Sequence, residues 1–187
     1  MTVRLVEPGP DWLDAYAAAL ARGWSPNTTR DVSGEHLAAI RADGPAFLRD
    51  LLDPNGTVTL ADGAVVPKLP AYLFWIVDRD FCGSINFRFQ PGTEALPPYC
   101  SGHIGYSIVP WRQRRGHATA ALRQILPLCR REGFARVSIT CDEDNLGSIK
   151  VIEANGGVLA GTHPDALEPG LIKRLYWVRT PEAPRTS

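Results

Sequence analysis

Apolar residues recur along this chain with two different periods. Near the N-terminus the period is helical. Leu13, Tyr16, Ala17 and Leu20 share one face, Asp11 stands where a helix cap would, and Gly23 follows as a stop. Val3–Val6, just before, reads as a first strand. A second helical stretch opens at Ser33-Gly34-Glu35-His36 and runs to about Leu52. Ile40, Phe47, Leu48 and Leu51 supply its apolar side, and Gly44-Pro45 predicts a break. Asp53-Pro54-Asn55-Gly56 is a turn.

The pattern then changes. Tyr72–Val77 and Ser84–Phe89 are rich in aromatic and β-branched residues and flank Asp78-Arg79-Asp80, which predicts an antiparallel hairpin. Gln90–Ser101 carries Pro91, Gly92, Pro97 and Pro98 and is irregular. Gly102–Val109 is a strand closed by Pro110. Arg114–Arg131 returns to helical spacing, with Ala118, Ala121, Leu122, Ile125 and Cys129 along one face and Gly133 as the stop. Pro127 lies inside this helix and cannot bond the Arg123 carbonyl, so a bend or an early end is expected. Arg136–Cys141 is a strand, Asn145–Asn155 a short helix ended by Gly156-Gly157, and Leu171–Val178 a final strand. This order predicts an α/β chain whose twisted mixed sheet carries helices on both faces.

Composition alters this picture little. A chain of 187 residues, 44% of them hydrophobic, fits one domain with a core. Lys and Arg number 20, as do Asp and Glu, so the formal net charge is zero. Broad attraction to nucleic acid or to an anionic membrane is not expected, and any anion site must be built locally. No apolar run approaches the roughly 20 residues that span a bilayer, and Met1–Leu5 has no apolar signal core, so a cytoplasmic location is expected. Cys82, Cys100, Cys129 and Cys141 lack zinc-type spacing and read as reduced thiols; no metal is expected.

Chemistry concentrates in Ile108-Val109-Pro110-Trp111-Arg112-Gln113-Arg114-Arg115-Gly116-His117-Ala118-Thr119. A strand ends here, a tight turn follows, and a helix begins. The first turn of a helix has unpartnered N–H groups backed by the positive end of its dipole. Gly116 and Ala118 let a ligand approach the backbone, and Arg112, Arg114 and Arg115 add positive charge. Together they describe a cradle for a diphosphate. Arginines at a helix start are unfavourable by themselves, which is easier to understand if an anion compensates them.

Gln113-Arg114-Arg115-Gly116-His117-Ala118 at a strand-to-helix junction resembles the Gln/Arg-x-x-Gly-x-Gly/Ala signature of the GNAT acetyltransferase superfamily. The strand before it, the Val137–Cys141 strand after it, and the Asp144–Gly157 helix also look like that family's elements; the likeness covers roughly residues 102–161. It implies a largely antiparallel sheet with splayed central strands. It implies one acetyltransferase domain over 1–179, with 1–70 a variable helical part, 71–179 the core and 180–187 a flexible tail. Acetyl-CoA would be the co-substrate. Its diphosphate would lie on the Arg114–Thr119 amides beside Gln113, and its pantetheine arm beside Ile108 and Val109. Asn145 and Ser148 would reach the arm, and the Val109 N–H would meet the oxyanion.

His103 is the first candidate for a general base, because an imidazole titrates near neutrality; Glu94 is a second. His103 could instead be a satisfied strand histidine, and a bound water chain could also take the proton. Where many relatives carry a proton-donating Tyr, this chain has Ile152, which leaves protonation of the leaving thiolate unassigned. Asn86 and Arg88 share a strand face and could hold an acceptor carboxylate, or could form a solvated edge. The expected activity is acetyl transfer from acetyl-CoA to a primary amine of a small molecule or protein, with a homodimer as one possible assembly. The alternative is a non-catalytic acyl-CoA sensor. A nucleotide phosphotransferase is disfavoured, since no Gly-x-x-x-x-Gly-Lys-Ser/Thr loop is present.

Overall fold

The structure, a computed structural model, describes residues 2–60, 62–164 and 170–182. The chain opens with β1 (Arg4–Val6) and three helices, α1 (Pro10–Ala21), α2 (Ser33–Ala42) and α3 (Gly44–Leu52). Gly9, not Asp11, is the N-cap of α1. Pro10 takes the first helical position, where its fixed φ costs nothing, and Asp11 meets the helix dipole from within the first turn. The break before Pro45 is a true start: the Asp43 side chain accepts from the Ala46 N–H at 2.8 Å. At the far end of α3, Lys68 Nζ donates to the carbonyls of Asp50 and Asp53.

β2 (Thr57–Thr59) and β3 (Val65–Pro67) form a small separate ribbon. Then come β4 (Ala71–Val77), β5 (Phe81–Arg88), β6 (Ile104–Ile108), α4 (His117–Arg131), β7 (Arg136–Asp142), α5 (Leu146–Glu153), β8 (Val158–Pro164) and β9 (Ile172–Arg179). The main sheet has the order β1-β4-β5-β6, and a second sheet has the order β7-β9-β8. Every ladder in both is antiparallel. The sheets touch where the His103 N–H donates to the Ser138 carbonyl at 2.8 Å. A Cβ on Gly102 would press on the Ser138–Thr140 backbone at 3.2–3.4 Å, so this junction needs glycine to close. Beyond it, β6 and β7 belong to different sheets, and a gap opens between them.

Helices cover both faces. α4 and α5 bury Leu122, Ile125, Ile149 and Ile152 against Ile85, Phe87, Ile139 and Tyr176. On the other face α1–α3 enclose Trp75 and Phe81, with Tyr16 stacked on Trp75 at a centroid distance of 4.8 Å. α4 starts at His117 rather than Arg114 and runs through Pro127 to Arg131. The helix survives its proline because most of one face, including Leu126 and Cys129 on either side of Pro127, is buried in the core. Thr180, the first residue assigned to the tail, is held by the fold. It is buried and its hydroxyl donates to the Phe134 carbonyl at 2.7 Å; residues 183–187 lie outside the described part. Among the described residues, no helix is long and apolar enough to cross a membrane.

Candidate active site

β6 ends at Ile108, a single 3-10 turn spans Pro110–Arg112, and residues 113–116 lead into α4. Two residues of that short loop are left-handed: Arg114 at φ 61° and Gly116 at φ 78°. Alternating handedness turns successive N–H groups toward one concave side. A left-handed arginine costs roughly 1–2 kcal/mol, a strain retained at a site where it shapes the backbone. α4 has no side-chain cap. Among the described residues, no acceptor meets the N–H of His117, Ala118 or Thr119. Arg114 and Arg115 are exposed at the rim. The result is a concave set of free donors under two unpaired cations, which suits a diphosphate.

The neighbouring basic residues have other tasks. Arg112 forms an ion pair with Asp80. His117 is buried, with Nδ1 donating to the Arg112 carbonyl at 3.0 Å and Nε2 lying 3.8 Å from Asp78 Oδ2. The β4–β5 turn therefore braces the loop through both residues. Burial holds the His117 side chain within the fold and leaves its backbone N–H, the group expected to meet the diphosphate, available. The Gln113 side chain likewise is occupied, donating through Nε2 to the Ile108 carbonyl at 3.1 Å.

The gap offers a backbone edge. The His103 carbonyl accepts from Arg88, and the Val109 N–H donates to Cys82 at 3.0 Å. These bonds place 103 and 109 on the β5 side. Tyr106 and Ile108 alternate with them and turn their polar edges away from β5, into the gap. Val109 thus cannot serve as the oxyanion donor, because its N–H is already used; Ile108, one residue earlier, has the right direction.

α5 forms the opposite wall. Asn145 caps it, its side-chain oxygen accepting from the Ser148 N–H at 2.9 Å, which leaves the amide nitrogen for a ligand. Ser148 Oγ lies 2.7 Å from the Tyr106 hydroxyl. Burial raises the Tyr106 pKa well above its usual value, so the phenol keeps its proton. Burial raises the pKa of the nearby Cys141 thiol as well. Ile152 is wholly buried core. The sequence puts Tyr106 on the right strand for a proton donor but as a packed residue, and Ser148 beside the pantetheine arm; their pairing was not read from it.

His103 is placed unlike a general base. It is fully buried among Phe87, Phe134 and Trp177, and its Nδ1 accepts from the Ser138 N–H at 3.0 Å. Burial lowers its pKa from 6.5 to about 4. It holds the junction between the sheets. The folded protein keeps the ring neutral, so this contribution is complete above pH 6.5 and is lost as pH falls toward 4, where the unfolded chain takes the proton first. His103→Ala should lower stability at pH 7 and flatten its decline between pH 6.5 and 4 by up to about 3 kcal/mol, read by urea unfolding at several pH values. The acid limb of any rate profile should stay where it is. Glu94 also departs from expectation: it is paired with Arg136 at 2.9 Å, at the opposite end of β7 from Asp142, where the chain turns toward α5.

On the face away from α4, Asn86 and Arg88 are half-buried beside Gly105. Arg88 Nε donates to the Gly102 carbonyl at 2.9 Å. Among the described residues, no group of three His, Cys, Asp or Glu side chains could hold a metal ion.

Comparison with known proteins bears on the fold and the family. No curated protein matches the chain. Several solved structures share its fold at low identity. RimL, a ribosomal L7/L12 alpha-N-protein acetyltransferase solved with coenzyme A, is 18% identical, with a TM-score of 0.66 over 96% of this chain and 94% of that one. The Microcin C7 self-immunity acetyltransferase MccE, solved with acetyl-CoA and AMP, is 15% identical, with a TM-score of 0.63 over 95% and 92%. An acetyltransferase from Salmonella typhimurium that modifies the N-terminal serine of L7/L12 is 18% identical, with a TM-score of 0.63 over 96% and 95%. The model of the acetyltransferase (GNAT) domain matches residues 35–158, about two thirds of the sequence, and the chain belongs to the GNAT acetyltransferase family.

Proposed function

We propose that this protein transfers the acetyl group of acetyl-CoA to a primary amine by direct attack. The observation that carries the reading is the set of free amides at 117–119 beneath Arg114 and Arg115, with the gap between β6 and β7 directly behind it. The diphosphate lies in the cradle and the pantetheine arm lies along the Tyr106–Ile108 edge. The solved structures with acetyl-CoA and coenzyme A support this choice of ligand.

The amine nitrogen attacks the thioester carbonyl carbon. The oxyanion that forms is met by the Ile108 N–H. As the C–S bond breaks, the sulfur takes a proton from Ser148, which solvent restores, while Tyr106, 2.7 Å away and still protonated, orients the serine hydroxyl. The proton lost by nitrogen passes to solvent, since neither His103 nor Glu94 is placed to receive it. A hydroxyl pair thus does what Ile152 cannot, and this weakens the case for a non-catalytic sensor. The reading places the reaction in the cytoplasm, with acetyl-CoA and the reduced thiols of this chain.

Release of free thiol from acetyl-CoA, measured across a panel of amines, tests the proposal. Binding of acetyl-CoA with no thiol release for any amine would establish the sensor reading instead. Ser148→Ala should lower kcat at least about 10-fold with little change in coenzyme A affinity, and Tyr106→Phe should do less. An unchanged kcat in Ser148→Ala would remove the proton-donor role.

A further inference from the structure

On β5, alternate residues Ser84, Asn86 and Arg88 face away from α4, while Ile85 and Phe87 enter the α4 core. On β6, Ser84 faces Ser107 and Asn86 faces Gly105. The upper part of this row is closed: Trp24 Nε1 donates to Ser107 Oγ at 2.8 Å, and Ser107 Oγ donates to the Ser25 carbonyl at 3.0 Å. The lower part is not. Arg88 is half-buried and spends Nε on the Gly102 carbonyl. Among the described residues, no carboxylate lies within 4.0 Å of its guanidinium. Asn86 Oδ1 is buried and has no hydrogen-bond partner. Both groups converge on one point: a Cβ placed on Gly105 would lie 3.4 Å from Arg88 Nη2 and 3.4 Å from Asn86 Oδ1.

We propose that Arg88, Asn86 and the bare backbone of Gly105 form an acceptor subsite for a compound that carries a carboxylate beside an N–H, as a free amino acid does. The inference rests on the acetyl-transfer reading above and deepens it. A half-buried guanidinium without a counter-ion is costly, and a carboxylate uses its remaining fork in a bidentate pair. The neighbouring buried amide oxygen lacks a donor, which the N–H of the same ligand supplies. Gly105 leaves room for that head group. The positive charge also disfavours the ammonium form of a nearby amine, which favours the nucleophile. A protein lysine or N-terminus carries no carboxylate at this position and would leave Arg88 uncompensated.

The test compares each protein amino acid with its primary amide, in two readouts. Wild type should show at least a 10-fold higher kcat/KM for acids than for amides, mainly through KM. Arg88→Gln should erase that preference, and Asn86→Asp should reverse it by repelling the carboxylate; coenzyme A affinity and the melting temperature report that each variant is folded. Calorimetry of the protein–coenzyme A complex with the same ligands is the second readout. Carboxylate binding that depends on Arg88, without turnover, sustains this subsite and overturns acetyl transfer alone. Turnover of acids and amides with equal kcat/KM overturns the subsite and leaves acetyl transfer intact. Absence of both turnover and carboxylate binding overturns the two together.

Discussion

Gly116→Glu is expected to abolish coenzyme A binding, weakening it at least about 100-fold, which corresponds to roughly 3 kcal/mol. Three effects add. Gly116 sits at φ 78°, where a side chain costs about 1 kcal/mol or more and shifts the loop. Gly116 is the N-cap residue immediately before the free N–H groups of α4, so a side chain there competes for the space of the proposed diphosphate. Glutamate also brings a negative charge to a site shaped for anions, and so satisfies part of its positive field from within. Titration calorimetry with coenzyme A reads the loss, and a cooperative melt only slightly below that of wild type shows that folding is intact. Gly116→Ala separates the causes: it introduces backbone strain without charge and should weaken binding by less. Full affinity in the glutamate variant would mean that the diphosphate lies elsewhere, and the proposed function would fall with it.

The largest effect on stability is expected at Gly83. This residue lies in β5 at φ 151°, and a Cβ there would meet the Ser107 carbonyl oxygen at 2.1 Å and Ile108 Cα at 2.9 Å. Both are backbone atoms of β6, so no side chain can rotate away. Gly83→Ala must push β6 off β5 or break the ladder at the Gly83–Ile108 pair. A cost of about 3 kcal/mol or more is expected, enough to unfold a marginal domain. Urea unfolding reads this as a fall in midpoint. Gly161→Ala is the contrast: the same change on exposed β8 meets nothing within 4 Å and should stay within about 0.5 kcal/mol of wild type. If Gly83→Ala were equally benign, the close approach of β5 and β6 would not hold in solution. Because β6 carries the Ile108 edge, any surviving Gly83 variant should also lose activity.

Much of the fold was legible because its signals are local. The amphipathic runs of α1, α4 and α5, the aromatic strands β4 and β5, and the Gly44-Pro45 break before α3 each carry their cause within a few residues. Two groups of strands were not legible. β2 and β3 span three residues each, too few to show a period. β8 is exposed along nearly its whole length, so selection for burial leaves no alternation to read. The start of α4 was misplaced by three residues, because charge and spacing continue unbroken through Arg114 and Arg115 while the backbone there is left-handed.

The candidate site divides in the same way. Gly116, the small Ala118 and the rim arginines announce an anion cradle by composition at one junction, since backbone donors at a helix start depend on sequence neighbours alone. Partner choice is different. Arg112 and His117 look like cradle residues in sequence, yet Asp80 and Asp78 claim them from a turn more than 30 positions earlier. Val109 loses its free N–H to Cys82 through strand register. His103 becomes a buried junction residue only when Ser138, Phe134 and Trp177 arrive around it. The sequence by itself determined where a helix would begin, what could approach it closely and which residue types would surround it. Tertiary structure alone decided which of those groups stay free, because a hydrogen bond or ion pair between distant segments depends on how the sheets close, and no local pattern encodes that.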